Sequence, residues 1–243
     1  MWRVVLAFVV GTRPQENAEV LLDRVKEVTD GHLPFFPSEQ LPEYDDALRH
    51  TYGGWVQPER KGDRGRYPQP RLVPTTALLY AQVVKVREHG RVTEVKTKVG
   101  FGKPEAMADK LAHASVSDTI NTSVVERDNL TQRQSHRRLT RRTHGFSKEI
   151  IWFEKQLWLS MASDHFVLPH HRFRQPLETP KPTRGTGTPK RWTPITPAMA
   201  AGMTDHVWTT TELLSYRVPA QCSDQLSKIK PLFALPDEVH QGK

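Results

Sequence analysis

The chain begins with seven consecutive apolar residues, 4–10, most of them β-branched or aromatic. A continuous run of that length predicts a strand over 3–10 buried on both faces and ended by Gly11. Ala18, Leu21, Leu22, Val25 and Val28 then recur at helical spacing, predicting a helix entered near Pro14 and stopped near Gly31. A short second strand, 33–36, leads to Ser38 and Glu39. Pro42 opens another helix, with Tyr44 and Leu48 inward and Gly53 at its end. Strand, helix, strand and helix with an acid at a strand exit is how an α/β sheet presents catalytic groups at its carboxyl edge.

From 53 to 74 the sequence is rich in Gly, Pro and charge and reads as a long excursion. Two alternating stretches follow, 78–87 and 92–99, joined by Glu88-His89-Gly90-Arg91. That pattern predicts a β-hairpin. A short helix is expected over 104–113. Ser147 is placed to cap a later helix carrying Ile150, Phe153, Leu157, Trp158 and Met161 on one face, an aromatic stripe expected to be core. Between 168 and 197 fall seven prolines and six basic residues against Glu178 alone, which suits an extended basic arm without a core of its own. Such an arm could track along phosphates, swap between subunits of a homo-oligomer, or serve as a plain linker. Residues 198–218 are expected to fold back as a short helical piece.

Composition adjusts this picture in two ways. With 35 Lys and Arg against 27 Asp and Glu the formal charge is +8, which favours a polyanionic partner. The apolar content of 37% with 19 prolines points to sizeable loop or extended portions. A single cysteine, Cys222, excludes an internal disulfide or a cysteine zinc ribbon and suits a reducing, cytoplasmic setting. No apolar run approaches the roughly 20 residues needed to cross a bilayer, so no membrane partner is expected.

The most distinctive chemistry lies at 121–143, Asn-Thr-Ser-Val-Val-Glu-Arg-Asp-Asn-Leu-Thr-Gln-Arg-Gln-Ser-His-Arg-Arg-Leu-Thr-Arg-Arg-Thr. Glu126 is followed by Arg127, Arg133, Arg137, Arg138, Arg141 and Arg142. Thr122 or Ser123 can cap a helix, and no Gly or Pro interrupts it before Gly145. In a continuous helix Arg133 and Arg137 lie two and three turns beyond Glu126 on nearly the same face. A carboxylate heading a basic stripe suits a metal held beside a phosphate backbone; spacing alone also fits a solvated basic helix. Asn129 and Gln132 are placed to reach bases or phosphates, or are plain surface residues. His165, His170 and His171 lack a metal-ligand spacing and read as loop histidines.

Residues 125–131, Val-Glu-Arg-Asp-Asn-Leu-Thr, with Arg137-Arg138-Leu139-Thr140-Arg141 and Gly145-Phe146-Ser147-Lys148, resemble the C-terminal half of insertion-sequence-1 type transposases. The likeness continues at Phe166-Val167, Pro169-His170 and residues 196–206, and is densest over 121–216. It implies an RNase H-like fold in which a DDE triad of acids holds Mg2+ or Mn2+ for DNA cleavage and strand transfer. Glu126 matches the third acid and Arg133 the basic residue seven positions on. Pro37-Ser38-Glu39 stands where the family carries an Asp-bearing motif, so Glu39 is the counterpart of the second acid, longer by one methylene. The first acid and the N-terminal DNA-reading portion have no counterpart, which implies an N-terminally truncated, impaired copy whose segment 4–10 is an exposed, aggregation-prone edge. By this resemblance Glu126 and Glu39 are catalytic and metal-binding. Asn129, Arg133, Arg137, Arg138, Arg141 and Arg142 bind DNA. The expected fold is α/β: an incomplete RNase H-like domain over 1–167, its mixed sheet flanked by helices and its β-hairpin inserted within about 54–118, then the arm over 168–197 and a tail over 198–243.

Overall fold

In the computed structural model the described residues are 4–11, 15–60, 62, 66–114, 117, 119–140, 144–145, 147–183 and 185–217. They fall into two compact units that divide between Leu159 and Ser160. The first is a mixed α/β unit. Its sheet has β4 (Leu79–Glu88) at the centre, parallel to β1 (Phe35–Glu39) on one side and antiparallel to β5 (Arg91–Phe101) on the other.

Because side chains alternate across a strand, the two faces of β4 sort into two clusters. On one face Tyr80 packs with α1 (Gln15–Val28) and α2 (Glu43–Tyr52), through Ala18, Leu22, Ala47, Leu48, Tyr52, Leu78 and Phe101. Leu33, Phe36 and Tyr44 pack around this core. Of the expected inward residues, Ala18, Leu22, Tyr44 and Leu48 join this core, Leu21 and Val25 are half-buried outside it, and Val28, in the last turn of α1, stays exposed. On the opposite face Leu79 and Ala81 meet Met107 of α3 (Pro104–Ala112), with Phe35 and Ile120 alongside.

The hairpin forms where alternation and turn residues place it. His89 and Gly90 have φ of 50° and 79°, so both turn residues are left-handed, the requirement of the two-residue turn that matches strand twist. β4 is the middle strand of the sheet, since its first five residues pair with the whole of β1. The excursion after α2 is tied at its base by β2 (Gly53–Val56) and β3 (Arg71–Pro74), an antiparallel ribbon of residues far apart in sequence.

Three other expectations change. Residues 4–10 form no strand; they are half-buried coil, with Leu6 exposed, and no sheet edge is built there. The segment is held instead by side chains: the Phe8 ring lies 4.6 Å from that of Trp158, and Arg24 Nη1 donates to the Phe8 carbonyl at 2.5 Å. The basic helix is shorter than 121–143. It spans α4 (Ser123–Ser135), and a 3-10 turn, Arg137–Leu139, follows. His136 is the reason: its backbone is extended and its ring is only 2% exposed, with Nδ1 2.8 Å from the Gln132 carbonyl. Burying that ring takes the chain off the helical path. The next helix, α5 (Ile150–Phe166), starts three residues after Ser147, whose hydroxyl accepts from Arg138 Nη1 at 3.1 Å rather than capping the helix. Leu157 and Met161 of α5 are buried, but Ile150 and Trp158 are exposed, so the stripe is only partly core.

In the second unit the expected extended arm folds back on itself as β6 (Gln175–Lys181) paired antiparallel with β7 (Lys190–Thr193). The Arg174 guanidinium covers the Trp192 ring at 4.1 Å, a cation–π contact that shields one apolar side chain of an otherwise polar ribbon. The expected helical piece is two short helices, α6 (Pro197–Ala200) and α7 (Thr210–Ser215). Trp208 packs between Phe166 and Tyr216, with ring centroids 4.6 and 5.2 Å away.

Thr209 and Glu212 form a reciprocal capping box at the start of α7, and Glu212 also receives His206 Nε2 at 3.1 Å. Asp205, 2.6 Å from His206 Nδ1, and then Glu212 raise the histidine above its ordinary pKa. A folded value above the unfolded one (about 6.5) means that the stability contributed is complete below that pH and is lost as pH rises through the folded value. Hydrogen-exchange protection of the α7 amides, corrected for intrinsic rates, is therefore expected to fall as pH rises above about 6.5 in the native chain but not in His206→Gln. Equal pH dependence in both would remove the histidine from the account.

Candidate functional site

β1 ends on Glu39, at the carboxyl edge of the sheet. In the parallel register Glu39 sits opposite Val83, and Lys85, two residues further along β4, shares its face. This is also the face that Met107 covers further back along β4. Over the same edge comes the first turn of α4, carrying Glu126. The Lys85 ammonium joins the two acids: Nζ is 3.4 Å from Glu39 Oε1 and forms a direct ion pair with Glu126 Oε1.

Thr122 precedes α4 but its hydroxyl does not cap the helix; Oγ1 donates to Glu126 Oε1 at 2.9 Å. Neighbouring Asn121 takes that local role, its Oδ1 accepting from both the N–H and the hydroxyl of Ser123. The first turn is thus arranged around the Glu126 carboxylate. Lys85 first, then Thr122, hold that carboxyl below its ordinary range, and Glu126 in turn raises Lys85. The positive end of the α4 dipole acts in the same direction on Glu126. The folded pair is consequently charged on both sides from mildly acidic pH to above the ordinary lysine range. All three side chains reach solvent: Glu39 is 64% exposed, Glu126 47% and Lys85 24%.

The other expected site residues divide. Asn129 and Arg133 stay on α4 with Glu126, at helical spacings of three and seven, and both are exposed. Arg137 and Arg138 are exposed but stand on the 3-10 turn, so the straight stripe from Glu126 to Arg137 is broken at His136. Arg141 and Arg142 lie outside the described residues, as does Cys222. Gln132 is buried rather than a surface contact. Asp45 is engaged by Arg49 at 3.4 Å on α2, which packs the opposite face of the sheet. The His170 ring lies 4.9 Å from that of Phe173, tilted by 43°, and no three His, Cys, Asp or Glu side chains among the described residues form a metal-binding group.

Lys85 is the functional candidate that sequence reading missed. Its only signal was a charged position interrupting an apolar run, at Val83-Val84-Lys85-Val86. The partners lie 46 and 41 residues away, and no local spacing connects them.

As a donor set, the two exposed carboxylates fit one hard divalent cation that keeps several waters, provided Lys85 gives way. They do not supply the ligands of a two-ion centre. No family model matches the chain, and no curated protein or solved structure matches it.

Proposed function

We propose that this chain is the catalytic portion of a DDE-type transposase resembling the insertion-sequence-1 group, an RNase H-like domain acting on DNA in the cytoplasm with Mg2+ or Mn2+. The observation that carries the reading is the meeting of Glu39 and Glu126 at the carboxyl edge of the sheet. Both acids stand at the positions that the motif resemblance assigns to metal ligands. Glu39 and Glu126 would hold the ion. Once bound, it supplies Lewis-acid stabilisation of charge developing on a phosphodiester under attack. Arg133 and Asn129 extend from the acid along α4, and Arg137 and Arg138 add positive charge beyond it, a distribution suited to holding a phosphate backbone.

Two features support impaired chemistry. The described acids at the site number two, and Glu39 is longer than an aspartate by about 1.5 Å, a displacement that can cost roughly a hundredfold in rate. The test is conversion of supercoiled to nicked DNA with Mg2+ or Mn2+, with chelator as control. Slow, metal-dependent nicking is expected. Salt-sensitive DNA binding without nicking under either metal would leave the alternative, a non-catalytic nucleic-acid-binding protein that uses the basic segment 126–142 and the arm over 168–197.

A further inference from the structure

The two acids are already neutralised by a group of the chain itself. Lys85 leaves the sheet on the face of Glu39 and ends between Glu39 Oε1 and Glu126 Oε1. A divalent ion shared by those same oxygens would have to stand close to the ammonium, and two cations at that separation repel in any dielectric. We infer that Lys85 is the resident cation of the site, a positioning residue that keeps Glu39 and Glu126 together without metal and that a divalent ion must displace in order to bind. The inference rests on the reading of the two glutamates as a cation-binding pair.

Two further contacts support it. Thr122 Oγ1 donates to the same Glu126 Oε1 that meets the lysine, so that oxygen keeps a hydrogen-bond partner when Lys85 leaves. Lys85 has the least exposed side chain of the three, while both carboxylates remain open to an ion arriving from solvent. Loading with metal and release of the ammonium are therefore one exchange, and the affinity for the ion is reduced by whatever holds the lysine. A released ammonium stays tethered within a few ångströms of the site, where it is available to a phosphate oxygen of the nucleic acid.

The experiment is Mn2+ binding by electron paramagnetic resonance of the free ion, on the full chain without DNA, for the native protein, Lys85→Met, Lys85→Glu and Lys85→Met/Glu126→Gln. Methionine keeps the stem and removes the charge. Losing two exposed ion pairs is expected to tighten Mn2+ binding by about tenfold. Lys85→Glu, with three carboxylates, is expected to bind more tightly still, and the double variant is expected to lose the gain. Native-like circular dichroism qualifies each variant, and Lys85→Gln substitutes for any that fails to fold. Binding by Lys85→Met that is equal to or weaker than native, or a gain that survives Glu126→Gln, overturns the inference. The outcome is separate from the nicking test: tighter Mn2+ binding with no nicking by any variant would refute the transposase reading and leave Lys85 as the resident cation.

Discussion

Replacing Leu48 by alanine is expected to destabilise the first unit by about 2–5 kcal/mol, the largest stability change that a single truncation here should produce. Leu48 is 1% exposed and sits at the centre of the α1–α2 face, among Leu22, Leu78, Tyr80 and Phe101. Its neighbours are held from several sides. Tyr80 is fixed by hydrogen bonds to Ser38 at 3.0 Å and Gln82 at 2.8 Å, and the Tyr80 ring lies 5.7 Å from Phe101. A cavity beside such a residue closes poorly, because moving the ring would break buried polar contacts. The measurement is urea unfolding followed by circular dichroism, where the midpoint should fall with little change in slope. Leu130→Ala, at a leucine 48% exposed on α4, should change the midpoint far less.

Glu126→Gln is expected to reduce metal-dependent nicking by about a hundredfold or more while leaving the fold intact. Glutamine keeps the shape and can still accept from Thr122, but it removes the negative charge that pairs with Lys85 and that a divalent ion requires. The pair is largely solvent-exposed, so after screening its loss should cost at most about 1 kcal/mol of stability. Effects on activity and on stability should therefore separate, which is the signature of a site residue as opposed to a core residue. Undiminished nicking by this variant would show that Glu126 has been assigned wrongly.

Local elements were legible where the signal was local. The hairpin announced itself through alternation and the His89-Gly90 turn, and α1 and α2 through apolar spacing that the core then uses. What sequence reading lost depended on distant partners. A run such as 4–10 has strand composition, but a strand needs a neighbour to pair with, and composition cannot say whether one is present. The ribbon of β2 and β3 pairs residues on either side of a long excursion, which no periodicity marks. The end of α4 was invisible for a similar reason. His136 is an ordinary helix residue by propensity, and only burial of its ring takes the backbone off the helix.

The site shows the same division. Glu39 and Glu126 were found through a resemblance of motifs and not through spacing, and their proximity is a property of the folded chain. Lys85 could not have been found that way. A lysine in a strand reads as a solvent-facing polar position, and its meaning depends on which acids the fold brings to it.

The central claim is that Glu39 and Glu126 form one cation-holding unit that acts on DNA. Its most direct test is a double-mutant cycle on metal-dependent nicking, with Glu39→Gln, Glu126→Gln and the pair. Two ligands of a single ion predict strong non-additivity: each single change removes most of the activity, and the double change removes no more than the worse of the two. Multiplying losses, or full activity in Glu39→Gln, would mean that the two carboxylates meet at the sheet edge without sharing a function.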